Sequence, residues 1–185
     1  MERDFKNASV HIAEVNANGD MSSSKPFLYN EMGSSINSIF LSPDGRSLYF
    51  ASDRSGGYGG FDLYVSHLEK GTWSIPVNLG PEINTAYNEI TPFMHDNKIY
   101  YASDNLQGLG GYDIYNATFE NGKWSGVTMM DREINSPEDD YFPAFNNQGD
   151  MFFTSNRLGG LGKNDIYKVI KTDANLMDEL VTEVP

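Results

Sequence analysis

SDRSGGYGGFDLY, running from Ser52 to Tyr64, decides how the chain is read, because it occurs three times. It returns as SDNLQGLGGYDIY from Ser103 to Tyr115 and as SNRLGGLGKNDIY from Ser155 to Tyr167, at offsets of 51 and 52 residues. A glycine-rich loop held between Ser-Asp/Asn and Asp-aliphatic-Tyr at that register is a structural repeat. A repeat sets architecture before local propensity does. Glu31, Glu82 and Glu133 open EMG, EIN and EIN on the same beat, and Asn37-Ser38, Asn88-Glu89 and Asp139-Asp140 follow six residues later. Trp73 and Trp124 also stand 51 residues apart. The whole unit repeats, not only its loop.

Each unit reads as four short strands. In the first, Ile39 to Leu41 ends at Ser42-Pro43-Asp44-Gly45, a strong turn signal. SLYFAS (47–52) follows, apolar on consecutive residues as a strand covered on both faces is. After the glycine loop come Asp62 to His67, a turn at Glu69-Lys70-Gly71, and Trp73 to Asn78. KIYYAS and DMFFTS repeat the second strand, so residues 98–103 and 150–155 are expected to match 47–52. Residues 8–29 resemble only the last half of a unit, with SVHIAEV and KPFLY as its third and fourth strands.

Four-stranded antiparallel units at a period near 50 predict an all-β fold, a β-propeller of about three and a half blades. One propeller segment spans 1–170, with a half blade at 8–35, blades at 36–84 and 85–135, and an incomplete blade at 136–170. Residues 171–185 read as a tail or a poor outer strand. In such a blade the glycine loop, from second to third strand, and the EIN link to the next blade emerge on one rim. The arc is incomplete, so self-association through open blade faces is expected.

Composition removes several function classes. With 26 acidic and 13 basic residues the net charge is −13, which opposes a nucleic-acid partner. There is no cysteine, hence no disulfide and no thiolate metal site. No apolar run reaches the roughly 18 residues of a membrane span, so direct insertion is not expected. MERDFKN at the start lacks the apolar core of a secretory signal. The expectation is a cytosolic protein or part of a longer exported chain.

LSPDGRSLYFASDRSGGYGGFDLY, then NLGPEIN, then LGGYDIY and SNRLGG…NDIY together resemble the TolB-like, WD-repeat-like propeller repeat. More narrowly they are similar to the propeller of OmpA-family outer-membrane proteins of Bacteroidetes-type bacteria. The resemblance covers about residues 8–170. It implies a periplasmic, outer-membrane-associated protein whose propeller is a non-catalytic interaction module docking another cell-envelope protein, in some members within a secretion apparatus. A glycan- or peptide-binding propeller and a propeller hydrolase or lyase are the alternatives.

Asp53, Asp62, Asp104, Asp113, Asn156 and Asp165 bracket the loops. Their spacing fits no EF-hand, and side chains of this type commonly pin tight turns by accepting backbone N–H groups. They are therefore expected to fix the loops, with no metal and no cofactor. The glycines are expected to supply positive φ. GYGGF lacks the Lys-Ser/Thr and the helix that a phosphate loop needs. The histidines occupy no equivalent positions, and Glu138 to Asp140 fall on a link, so no catalytic residue is expected. The binding candidates are the loop side chains that differ between copies: Arg54, Tyr58, Asn105, Gln107, Leu109, Arg157 and Leu161.

Overall fold

The computed structural model describes residues 8–170 and 182–183, and among these there is no helix. β1 (His11–Ile12) and β2 (Lys25–Pro26) pair as a small sheet. The first large sheet holds β3 (Ile36–Leu41), β4 (Ser47–Ser52), β5 (Asp62–Glu69) and an outer strand in two pieces, β6 (Thr72–Trp73) and β7 (Val77–Asn78). The middle sheet holds β8 (Glu89–His95), β9 (Lys98–Ser103), β10 (Asp113–Glu120) and β11 (Lys123–Met129). The last holds β12 (Asp140–Phe145), β13 (Met151–Ser155), β14 (Asp165–Val169) and β15 (Thr182–Glu183). Every pairing is antiparallel and joins consecutive strands, except that β7, the second piece of the outer strand, pairs with β5.

Local chemistry accounts for most of these limits. Lys70-Gly71, Asp96-Asn97 and Asn121-Gly122 all have positive φ, the two-residue hairpin turn whose twist matches its flanking strands. Pro76 offers no N–H to the ladder, and the outer strand of the first sheet breaks there, whereas Lys123–Met129 runs on with a bulge. The expected strands SVHIAEV and KPFLY shorten to two residues each, with a lone bridge from Val15 to Met21. Of the expected tail, Thr182–Glu183 pairs with β14, and the rest lies outside the described residues.

The large sheets pack face to face. Ala51, Leu63 and Val65 of the first meet Ile90, Ile99 and Tyr101 of the middle one. Ile114 of the middle sheet meets Met151, Phe153 and Tyr167 of the last, while Val10 and Phe27 cover Phe50 and Tyr64 of the first. The central strands of the first and middle sheets are thus covered on both sides, which is why their apolar residues run consecutively, whereas β13 alternates buried with half-buried residues and Ile166 of β14 is exposed. Burying a Leu or Phe here stabilises by about 1.5–3 kcal/mol each, so the stacking holds the sheets together.

Two polar devices repeat with the packing. The Asn30, Asn84 and Asn135 amides each bond both the N–H and the C=O of one residue, Val10, Leu63 and Ile114 respectively, at 2.7–3.0 Å. Each clamp ties a link back onto a third strand. The inner strands are joined sideways: Ser38 Oγ accepts from Thr91 N at 2.8 Å, and Thr91 Oγ1 accepts from Phe142 N at 3.3 Å. Thr91 and Phe142 have positive φ at bulges, which turns their N–H groups toward the neighbouring sheet.

The constant period conceals compensating lengths. Ile36, Glu89 and Asp140 occupy one place, each paired with the serine that ends the second strand. The first unit has a link two residues shorter, from Glu31 to Ile36, and a hairpin two residues longer, from Ile36 to Ser52, than the middle unit. Matching Asn37-Ser38 to Asn88-Glu89 by period alone is therefore corrected to Ser35-Ile36.

Candidate functional site

The three glycine loops and the links share one rim. Gly60 N bonds Tyr87 O at 2.8 Å and Gly111 N bonds Glu138 O at 3.1 Å, so the first two loops each lie on the link that follows. Carboxylates organise both. Asp62 accepts from Tyr58 N, Gly59 N and Asn78 Nδ2 at 2.6–3.0 Å. Asp113 accepts from Leu109 N and Gly110 N through Oδ2, and Asp165 from Gly162 N. Asp53 accepts from Ser35 N, Asp104 from Asn88 N and Nδ2, and Asn156 from Asp139 N, tying each loop to the link before it.

The glycines act mainly through space rather than through φ. Gly56 and Gly159 do have positive φ, but Gly57, Gly59 and Gly60 do not. A Cβ on Gly57 would come within 2.5 Å of Asp62 Oδ2, and Cβ atoms on Gly108 and Gly160 would strike Asp113 and Asp165 in the same way. One on Gly59 would strike Tyr87 O. The expectation of positive φ is corrected to close approach for these positions.

Below the rim, two rows of side chains lie on one face of each large sheet. The upper row is Ile36, Ser52 and Asp62 in the first sheet, Glu89, Ser103 and Asp113 in the middle, and Asp140, Ser155 and Asp165 in the last. The lower row is a stacked ring pair: Phe50 with Tyr64, Tyr101 with Tyr115, and Phe153 with Tyr167. Arg54 and Arg157 fold over these rows. The Arg54 guanidinium lies 4.9 and 5.0 Å from its two ring centroids, with Nε on Ser52 Oγ and Nη2 on Tyr29 O. Arg157 lies 5.0 and 4.9 Å from its rings, with Nε on Ser155 Oγ, further bonds to the Glu133 and Ile134 carbonyls, and Nη2 at 2.7 Å from Asp140 Oδ1.

Arg54 and Arg157, binding candidates because they differ between the loop copies, have both guanidinium groups engaged by the fold itself. Asn105 occupies the corresponding position in the middle sheet, half-buried. Tyr58, Gln107 and Leu161 are exposed, and Leu109 is half-buried against its loop. Two further exposed apolar side chains, Leu106 and Leu158, stand one residue beyond Asn105 and Arg157, where the first loop has Ser55.

Burial sets the electrostatics of the middle sheet. Glu89 is fully buried and accepts from Thr85 N, Thr85 Oγ1 and Ser103 Oγ at 2.6–2.9 Å. Desolvation raises its pKa against those bonds, and the Asp62 charge adds to the rise. Desolvation likewise raises Asp113, with Asp140 and Asp139 adding to it. Tyr112, desolvated and close to Asp104, is pushed up to about 12.

No protein-family model and no curated protein matches the chain. Among solved structures, a Mycobacterium tuberculosis puromycin-hydrolyzing peptidase is similar in fold, with a TM-score of 0.51 and 16% identity over 95% of this chain. This chain spans 28% of that peptidase chain. The likeness corrects the expectation that the chain is not an enzyme, because its fold is shared with part of a hydrolase. Among the described residues, no three of His, Asp and Glu converge as a metal site would require.

Proposed function

We propose that the stacked sheets are consecutive blades of a β-propeller of the TolB-like, OmpA-associated kind, and that the glycine-loop rim docks another protein of the bacterial cell envelope. The observation that carries the docking reading is the exposure of apolar side chains on that rim: Leu106 is 82% exposed, Leu158 89% and Leu161 90%, on loops pinned by carboxylates. Rigid apolar tips above an acidic body suit a partner with a matching groove. Support for the blade reading comes from the repeated clamps and from Ile166. It holds the place of the fully buried Leu63 and Ile114, yet is 57% exposed, which suits a further sheet of the same pattern packing on it. The envelope location rests on the motif resemblance.

The test is the variant Leu106→Asp/Leu158→Asp/Leu161→Asp. It keeps its fold and loses capture of the envelope partner that the unaltered protein retains, whereas Lys70→Asp on the opposite rim captures normally. Equal capture by both variants removes the docking reading.

The likeness to the peptidase favours a second reading, in which the chain works as part of a hydrolase. Incubating the full protein with puromycin and looking for the released amino acid tests it. A turnover no faster than the buffer blank removes it.

A further inference from the structure

The three sheets carry the same two rows, and two of them carry a guanidinium over those rows, so the chain contains its own template for what the middle sheet lacks. The Tyr101–Tyr115 pair has the geometry of the occupied ones: centroids 5.9 Å apart at 24°, against 5.8 Å and 18° for Phe50–Tyr64 and 5.5 Å and 20° for Phe153–Tyr167. Ser103 stands where Ser52 and Ser155 receive the arginine Nε. Glu89 stands where Asp140 receives Nη2 of Arg157. By the EIN register, the carbonyls that Arg157 caps on Glu133 and Ile134 correspond to those of Glu82 and Ile83.

Charge and hydrogen bonding mark the same place. In the first sheet the upper row has one acid, Asp62, beneath Arg54, and in the last it has two, Asp140 and Asp165, with Arg157. The middle row has two fully buried acids, Glu89 and Asp113, and Asn105 in place of the cation. Among the described residues no cation lies over its ring pair.

Asp113 also lacks a donor that Asp62 has. Asn78 reaches Asp62 at 2.7 Å, but the residue opposite Tyr115 is Met129 where Asn78 lies opposite Tyr64. Both loop N–H groups go to Oδ2 of Asp113, and its buried Oδ1 has no hydrogen-bond partner. Tyr115 Oη is unpartnered too, but so is Tyr64 Oη in the first sheet, so Asp113 is what sets the middle sheet apart. Buried acceptors of this kind are rare without a donor.

We infer that the middle sheet is a receptor for a guanidinium group, the side chain of an arginine carried by the docked partner, bound over Tyr101 and Tyr115 beside Glu89, Ser103 and Asp113. A planar fork of N–H donors fits a carboxylate, a hydroxyl and carbonyls at once while its face covers rings, which the compact ammonium of a lysine does not. The inference rests on the docking reading and names the side chain by which the partner is held.

The experiment titrates the full protein with N-acetyl-arginine amide, followed by calorimetry and by the NMR signals of its tyrosines. Saturable binding that shifts Tyr101 and Tyr115 is expected, with N-acetyl-lysine amide bound more weakly. Asn105→Arg places the chain's own guanidinium in the site, so its Tm rises while affinity for the arginine amide falls by about tenfold or more. Glu89→Gln, which keeps the shape, also weakens binding. No saturable binding overturns the inference, as do equal binding of lysine amide or unchanged affinity in both variants. Should the arginine amide fail to bind while the triple Leu→Asp variant still loses its partner, the receptor is refuted and the docking rim stands.

Discussion

Arg157→Ala is the perturbation whose size follows most directly from the geometry. The side chain is 16% exposed, and its partner Asp140 is fully buried. Truncation leaves a buried carboxylate facing nothing at Oδ1, uncaps the carbonyls of Glu133 and Ile134, and strips a cation from two rings. Breaking one side of a buried ion pair costs about 3–5 kcal/mol. Asp140 Oδ2 keeps its bonds from Ser136 N and Oγ at 2.6 and 2.8 Å, so the expected loss lies at the lower end, about 3 kcal/mol. Lysine keeps the charge without the fork, and Arg157→Lys falls between. Asp140→Asn added to Arg157→Ala removes the stranded charge and recovers about 1–2 kcal/mol, a coupling within the range seen for contacting pairs. Urea unfolding followed by tryptophan fluorescence reads these three variants together with the single Asp140→Asn that closes the cycle. A loss below about 1 kcal/mol for Arg157→Ala, or strictly additive effects in the cycle, would refute the view that this guanidinium holds the link to the sheet.

Other expectations follow from the same face and rim. Glu89 has a raised pKa in the fold, so its contribution is fully present below the usual glutamate value of 4.5 and is lost as pH rises through the raised one. The stability difference between the protein and Glu89→Gln should therefore shift against the natural residue from pH 4 upward, and a difference independent of pH contradicts the assigned burial. Gly57→Ala drives a Cβ within 2.5 Å of the Asp62 carboxylate and is expected to cost about 2–3 kcal/mol, against about 1 kcal/mol for Gly71→Ala, where only positive φ is at stake. Equal Tm losses for the two would remove the close-approach argument. Asn84→Ala leaves the Leu63 N–H unpaired in a buried setting, while the Leu63 carbonyl keeps the Leu79 N–H, and is expected to cost about 2 kcal/mol, measurable by the same unfolding assay.

The sequence made the sheets legible because the loop is anchored by side-chain chemistry that tolerates little change. Asp62, Asp113 and Asp165 each accept from backbone N–H groups three or four residues away, which fixes both identity and spacing. The register of the inner strands was not legible, because a short link and a long hairpin in the first unit cancel and leave the period intact. Nor was the destination of Arg54 and Arg157. A residue that differs between copies looks free when only its neighbours in sequence are known. Here the difference tracks partners far along the chain: Arg157 with Asp140, Arg54 with Tyr29 and the apolar Ile36, and Asn105 with a buried Glu89. The EIN asparagine carried a signal in its fixed spacing, but its amide clamp becomes visible only when Leu63 and Ile114 are placed beside it.

The claim that one rim meets a partner is tested most directly by site-specific photo-crosslinking in the native cell. A photoreactive residue is placed at position 161 on the glycine-loop rim or at position 121 on the opposite one. The account predicts a discrete crosslinked protein from position 161 and none from position 121. A product of equal yield from both, or from position 121 alone, would contradict it.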